Sequence, residues 1–464
     1  MSTKRRASHA TSSATPARKA AFELVSRTRE QEVYLSSIAE EVLKPYALDP
    51  SDKAFARLIA QGAISLQTTL DALIDRSLRS PRDIKADVRD ALRISAYEIL
   101  YLRKEEHAAV DQGVELVRHF APRATGVANY VLHRIVEEKE RFPYGDPRES
   151  LDAAALFYGF PQWLARAVKK DIGTRNALAF MAESIEAAPV WFTNTTGISH
   201  DDLAHVLDKT GIEYDTCRPI ASAFEDEDSI FQLAHRGDVG EAGFATLLRD
   251  DRIVVSDLSA QSIVARAVSV LPATDGRLLE IGAGRGTKSL LLQSACERKG
   301  VRLCVHDAMD ISAKKLRALK NRIEAAGGNI TSTIAHDALK AVELSNAPYD
   351  LVFIDAPCTG IGTLRRHPEI KGRLKQDDSR ALAKMGQAML EHAAAQVAPQ
   401  GYLLYATCTV FKEENDKVIM RFLASAKGKG FEVVPIGAKG TPFFKTPLVT
   451  NGPDLHFACL LQCK

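Results

Sequence analysis

The sequence predicts a multidomain chain: an all-α bundle, a small α+β subdomain, and a doubly wound α/β domain with a mainly parallel sheet. Three observations predict it. Apolar residues recur at i, i+3 and i+4 spacing through residues 17–142. A turn-rich break at Phe142-Pro143-Tyr144-Gly145-Asp146-Pro147 ends that rhythm. From residue 254 to 464, short apolar runs alternate with helical segments, the pattern of a βαβ sheet.

Each part follows in chain order. Residues 1–16 are rich in Ser, Thr and Ala, carry Lys4, Arg5 and Arg6 and no acid, and read as a disordered basic tail. In residues 17–142 the repeats include Phe55, Leu58 and Ile59; Leu92, Ile94, Tyr97 and Ile99; Val110, Val114 and Val117; and Val127, Val131 and Ile135. No catalytic constellation lies there, and His107 and His133 read as surface or capping residues. Residues 143–253 read as a linker and the α+β subdomain. Pro189 to Phe192 is strand-like, and Ser199 precedes a helix start with acids in its first turn. In residues 254–464 strands are expected at Leu278–Ile281, Val301–Val305, Ile330–Ile334, Asp350–Ile354 and Tyr402–Tyr405. Phe431–Val434 and Leu455–Leu461 close the sheet.

Composition narrows the function. Hydrophobic residues make up 45% and charged residues 26% of 464, as in a globular chain. No apolar run approaches the ~20 residues of a membrane span, and no signal-peptide core opens the chain. A cytoplasmic protein without a membrane partner is expected. The seven cysteines (Cys217, Cys296, Cys304, Cys358, Cys408, Cys459 and Cys463) are scattered, with no CxxC pair. Neither a disulfide framework nor a metal site is expected. A net charge of +2 leaves nucleic-acid binding to local basic patches.

The chemistry gathers at the predicted strand ends, where doubly wound sheets bind ligands. After the first strand comes Glu280-Ile281-Gly282-Ala283-Gly284-Arg285-Gly286-Thr287-Lys288. The dinucleotide fingerprint needs its third glycine one position later than Gly286. The spacing is instead the generic methyltransferase form, with a nicotinamide enzyme as the competing reading. Asp310 follows the next strand and can accept ribose hydroxyls; Asp337 follows the third and can hold an adenine amino group. Singly, either acid is an ordinary loop cap.

Two cysteines sit at the mouths of central strands, in Asp355-Ala356-Pro357-Cys358-Thr359-Gly360-Ile361-Gly362 and Tyr405-Ala406-Thr407-Cys408-Thr409. Ordinary buried thiols are the bland account. A chemical account exists: carbon 5 of cytosine is a poor nucleophile until a thiolate adds to carbon 6. An acid near ring N3, such as Asp355, would stabilise the adduct.

These paired motifs resemble the Pro-Cys and Thr-Cys motifs of the NOL1/NOP2/Sun family of RNA cytosine-5 methyltransferases. The helical region, with Asn129-Tyr130-Val131-Leu132-His133-Arg134-Ile135, resembles the NusB-like domain of one bacterial branch, the 16S ribosomal RNA methyltransferase B (Fmu/Sun) group. The likeness implies a NusB-like RNA-binding domain, an RNA-recognition-like subdomain and a Rossmann-like class I methyltransferase domain. It implies S-adenosylmethionine as cofactor, an unstacked cytosine of 16S rRNA as substrate, and a monomer. It also implies Cys408 as nucleophile and Cys358 in product release. Glu280, Gly282, Gly284, Gly286, Lys288, Asp310, Asp337 and Asp355 would then line the cofactor and base pocket. Another RNA target, a DNA methyltransferase and a non-catalytic ribosome assembly factor are the rival functions.

The likeness has departures. The family's first motif usually reads Asp-x-Cys-Ala-Ala-Pro-Gly-Gly-Lys-Thr, unlike residues 280–289 here. Gly372 stands where tryptophan is common, and Ser256 where glutamine is. A basic run between Arg365 and Lys384 reads either as a solvated helix face or as a phosphate-contacting stripe. Arg365, Arg366 and Lys371, with Lys288, are its candidate RNA contacts.

Overall fold

The computed structural model describes residues 13–220 and 229–464; most of the expected tail lies outside the described residues. The described chain divides into two compact units.

The first unit opens with helices α1 (Pro16–Glu30), α2 (Leu35–Leu43), α3 (Pro50–Ser65), α4 (Gln67–Arg76), α5 (Ala86–Leu100), α6 (Glu106–Phe120) and α7 (Thr125–Glu138). Local chemistry starts several of them. Pro16 and Pro50 occupy first-turn positions where no N–H is needed. Asp49 accepts the Asp52 N–H at 2.8 Å, and Glu105 that of Ala108 at 2.7 Å. Leu24, Ile59, Leu92, Ile99, Val117, Val131 and Leu132 fill the shared core. Inside it, Arg93 pairs with Asp90 and Asp71, each at 2.7 Å, so the fully buried Asp90 is compensated.

Helices α8 (Leu151–Phe157), α9 (Gln162–Ile172) and α10 (Thr174–Glu183) also belong to this unit. From sequence, residues 143–253 read as linker and α+β subdomain, which put these helices with the sheet that follows them; the compact unit they join is the first. These helices are short and interrupted by Gly159, Pro161 and Gly173, which blurs their period. Burial of Ala154, Leu164, Val168, Ala177 and Met181 makes the amphipathic faces plain.

The second unit holds two sheets. Strands β1 (Trp191–Asn194), β2 (Tyr214–Cys217), β3 (Ile230–Leu233) and β4 (Ile253–Val255) form an antiparallel sheet in the order β2-β3-β1-β4. Helices α11 (His200–Thr210) and α12 (Ala242–Arg249) accompany it. Phe192, Phe231, Phe244, Leu203 and Leu207 make its core.

The larger sheet starts after α13 (Leu258–Val268). Its elements are β5 (Gly276–Ile281), α14 (Thr287–Arg298), β6 (Leu303–Asp310), α15 (Ala313–Ala325), β7 (Ser332–Ala335) and β8 (Tyr349–Asp355). The short helix α16 (Ile370–Arg373) lies in a segment of the first unit. Then come α17 (Asp378–Ala393), β9 (Val397–Thr407), α18 (Asp416–Ala424), β10 (Phe431–Val434), β11 (Phe444–Lys445) and β12 (Phe457–Cys463). The strand order is β10-β12-β9-β8-β5-β6-β7, with β11 against β12. Strands β5 to β9 pair in parallel; β12 returns antiparallel to β9. Leu278, Phe353 and Leu404 pack one face, and Leu279, Val352, Ile354 and Leu403 the other. Because successive residues alternate faces, a strand covered on both sides reads as a continuous apolar run.

Among the described residues no helix is long and apolar enough to cross a membrane.

Candidate active site

The carboxyl ends of β5, β6, β8 and β9 bring four loops together. The turn after β5 passes through three glycines in left-handed conformation, Gly282 (φ +82°), Gly284 (φ +59°) and Gly286 (φ +86°). At Gly282 a Cβ would stand 2.4 Å from the Asp355 carbonyl oxygen, so the turn lies directly on the end of β8. The N–H groups of Gly282 and Ala283 both donate to the Met309 carbonyl, at 2.9 and 3.0 Å, tying the turn to the end of β6. At Gly284 a Cβ would meet nothing nearer than 3.9 Å, so this part of the turn is open.

Asp310 closes the turn's other side. One carboxylate oxygen accepts the Gly284 N–H at 3.1 Å, the other the Ser312 N–H at 2.8 Å. Next to it, Ile311 is 73% exposed. An apolar side chain left in water beside a nucleoside-type acid is a feature that sequence reasoning missed. Glu280 is wholly buried, with its carboxylate accepting the Ser289 hydroxyl at 2.5 Å. That bond ties β5 to α14, while the other carboxylate oxygen is buried without a partner among the described residues. Asp337 accepts the Leu339 N–H at 3.1 Å and so caps its own loop.

Lys288, in the first turn of α14, puts its ammonium 2.6 Å from the Asp355 carboxylate. Burial pulls the lysine pKa down, but Asp355 outweighs it, helped by Cys408 and Glu280, and the net shift is upward. The ammonium therefore stays charged.

Beyond Asp355 the two cysteines meet. Cys358 Sγ lies 3.4 Å from Cys408 Sγ, and the Cys408 N–H points at Cys358 Sγ at 3.3 Å. Both are half-buried. Contact with Cys408, then burial, raises the Cys358 thiol well above the ordinary cysteine range. The loops are stitched together: Ala356 N–H donates to Ala406 O and Gly362 N–H to Cys408 O, both at 2.9 Å. Behind them the buried Glu414 accepts the Thr359 N–H at 2.6 Å. Burial lifts its pKa to about 7. In the sequence Glu414 belongs to the Glu413-Glu414-Asn415 stretch that follows the Thr-Cys motif; only its burial shows that the side chain is internal.

Within the expected basic run, Arg365 and Lys371 are buried, while Lys375, Arg380 and Lys384 are exposed. Residues 364–374 belong to the first unit. Lys371 is 1% exposed, its ammonium 2.8 Å from Tyr158 O, 3.2 Å from Ser65 Oγ and 4.8 Å from the Phe160 ring centre. Burial lowers its pKa to about 7. Arg365 is also buried and pairs with Glu183 at 3.8 Å, while Arg366 is half-buried. Nearby, Arg373 donates to the carbonyls of Thr28, Glu32 and Val33 at 2.9, 3.0 and 2.7 Å, and Glu369 accepts the Leu35 N–H at 2.9 Å. A cation at the end of α1 and an anion at the start of α2 match the two helix dipoles. The segment reads as surface charge by residue type, but its charges are spent on capping and buried pairs.

Comparison with known proteins agrees in both halves. The family described as 16S rRNA methyltransferase RsmB/F matches residues 267–442, and the NusB family matches residues 15–137. A putative methyltransferase of Mycobacterium tuberculosis is 30% identical over 470 residues, covering 96% of each chain. A probable ribosomal RNA small subunit methyltransferase B of Bacillus subtilis is 27% identical, covering 88% of each. The crystal structure of PH0851 superposes with a TM-score of 0.77 at 22% identity, over 97% of this chain and 99% of that one. That of NSun6 from Pyrococcus horikoshii with SFG gives 0.52 at 17% identity, over 66% and 98%. At these identities the two structures show the shared fold alone.

Proposed function

We propose that this chain, which belongs to the RsmB/F family of 16S rRNA methyltransferases and carries a NusB-family domain, methylates carbon 5 of a cytosine through a covalent bond to Cys408. The family is S-adenosylmethionine-dependent and acts on RNA. The base, the carbon and the thiol chemistry are inferred here from the residues at the site. One observation carries it: two thiols 3.4 Å apart at the ends of adjacent parallel strands, beside a Lys–Asp pair.

The glycine turn fits the cofactor. Its positive φ angles, the open face at Gly284 and the Asp310 carboxylate make a cradle, while Gly282 lets the turn lie against the end of β8. Gly284, Gly286 and Asp310 would hold the cofactor, with Ile311 against its base and Asp337 at the rim. S-adenosylmethionine supplies an electrophilic methyl group on a sulfonium.

The chain's own groups do the rest. Lys288, held as a cation by Asp355, stands close enough to Cys408 to interact with it. Cys408 Sγ adds to carbon 6 of the cytosine, and carbon 5 becomes nucleophilic. The Asp355–Lys288 pair faces the ring N3 and offers it a proton as charge builds. After methylation the carbon-5 proton passes to water, its electron pair re-forms the C5=C6 bond and expels Cys408, and the proton lent to N3 returns to the Lys288–Asp355 pair. Cys358, a thiol 3.4 Å from Cys408 Sγ, can give its proton to the departing sulfur and so serves release rather than attack.

An unstacked base is required to reach the thiols, which fits a loop of ribosomal RNA. The small-subunit relatives make 16S rRNA the favoured target. The test is incubation with labelled cofactor and separate rRNA, tRNA and DNA pools, followed by nucleoside analysis. Label in 5-methylcytidine of 16S rRNA is expected. Label only in another nucleoside would overturn the reading.

A further inference from the structure

We propose that Glu414 is a positioning residue: one buried carboxylate that holds the residues following both cysteines and so sets the distance between the two thiols. The proposal rests on the thiol chemistry above for its catalytic meaning, but not for its geometry.

The contacts form a closed relay. Glu414 Oε2 accepts the Thr359 N–H at 2.6 Å, and Oε1 accepts the Thr359 hydroxyl at 2.9 Å. Having donated to Glu414, the Thr359 hydroxyl can only accept from the Thr409 hydroxyl, 2.9 Å away. Thr409 Oγ in turn accepts the Phe411 N–H at 3.3 Å. Thr359 directly follows Cys358, and Thr409 directly follows Cys408. Ser379 and Thr409 also lie within reach of the Glu414 carboxylate and favour its charged form, so one acid gathers the residues that follow both cysteines.

Neighbouring groups keep Glu414 itself still. The Tyr405 hydroxyl donates to the Glu414 carbonyl at 2.9 Å. Asn415 accepts the Thr407 hydroxyl at 2.6 Å and donates to Thr409 O at 2.9 Å, gripping both sides of Cys408. Glu414, Asn415, Thr359, Thr407, Thr409 and Tyr405 are all buried. A carboxylate is costly to bury, and an apolar residue would fill the volume without that cost. What the acid adds is a common anchor for two loops whose strands, β8 and β9, are already paired. The strands place the loops; the carboxylate places the cysteines.

The test reads the thiol distance without needing turnover. Wild-type protein, Glu414→Ala and Thr359→Val are treated with diamide, which takes two electrons and two protons from a thiol pair. Formation of the Cys358–Cys408 disulfide is followed by mass spectrometry of the peptides. Roughly tenfold slower closure is expected in Glu414→Ala, and a smaller slowing in Thr359→Val, which keeps the backbone bond. In parallel, single-turnover methylation should fall about 100-fold in Glu414→Ala, while cofactor affinity stays at the wild-type value. Glu414→Gln, which keeps an acceptor for Thr359, should recover part of both. Wild-type closure rates in both folded variants would overturn the proposal. Slowed closure with no cytosine methylation by any form would leave the positioning role intact and sink the methylation reading instead. If Glu414→Ala does not fold, Thr359→Val decides alone.

Discussion

The Lys288 ammonium and the Asp355 carboxylate are 2.6 Å apart, across the mouth of the central strands β5 and β8. The pair joins the helix that follows the glycine turn to the Pro-Cys loop. Lys288 also interacts with Cys408. Lys288→Met should therefore cost the thiolate its nearby cation and Asp355 its partner together. Single-turnover methyl transfer should fall by about 10²–10³-fold, with a smaller change in cofactor affinity measured by calorimetry. Equal losses in both would assign Lys288 to cofactor binding instead.

The glycine turn predicts a backbone effect. Gly282→Ala would place a methyl group 2.4 Å from the Asp355 carbonyl and force a left-handed φ on a residue with a side chain. The cost should be roughly 1–3 kcal/mol of stability, with the turn displaced from β8 and cofactor binding weakened. Gly284→Ala meets no clash, so its stability loss should be smaller. Urea unfolding of both variants checks the order; a more damaging Gly284→Ala would contradict it.

Lys371 predicts a pH dependence. Its folded pKa is lowered to about 7 from 10.5 by burial, so between these values the unfolded chain binds more protons than the folded one. Stability must then rise as pH increases from about 7 toward 10, and the lysine's share is lost as pH falls through 7. Lys371→Met fills similar space without the charge. The difference in urea midpoint, variant minus wild type, should be largest near pH 7 and shrink by pH 9.5. A difference independent of pH would mean that Lys371 is not titrating in its buried site.

What was legible in the sequence followed from strand ends. Cys358, Cys408, Asp355, Asp310 and the glycine turn each terminate or follow an apolar run of period two or a continuous core strand, and such ends converge in a doubly wound sheet. What was not legible depended on burial. Lys371 and Arg365 have the composition of a basic stripe, yet they lie inside the first unit. Glu280 belongs to the glycine motif, and its buried carboxylate ties β5 to α14. Glu414 is legible only as part of the Thr-Cys stretch, yet its buried carboxylate accepts from Thr359. Residue type gives a charge; only packing decides whether it faces a partner or the interior. The helices α8 to α10 were not delimited for another reason, since elements of 7 to 11 residues carry too few turns to show a period.

The two cysteines should act at different times, and this separates their roles. Cys408 and Cys358 are within 3.4 Å, so either could reach the same base carbon, and position alone does not rank them. In the proposed reading Cys408 attacks, with the Lys288–Asp355 pair beside it, and Cys358, whose thiol is raised above the ordinary cysteine range by contact with Cys408 and by burial, serves release. Cys408→Ala should accordingly abolish turnover while RNA and cofactor still bind. Cys358→Ala should still attack and methylate but release slowly, accumulating a protein–RNA species that survives denaturing electrophoresis. The double variant should lose that species, because trapping needs the nucleophile. An adduct from Cys408→Ala but not from Cys358→Ala would exchange the two roles. Turnover intact in both single variants would make the thiols structural, and the close contact between them would then be packing alone.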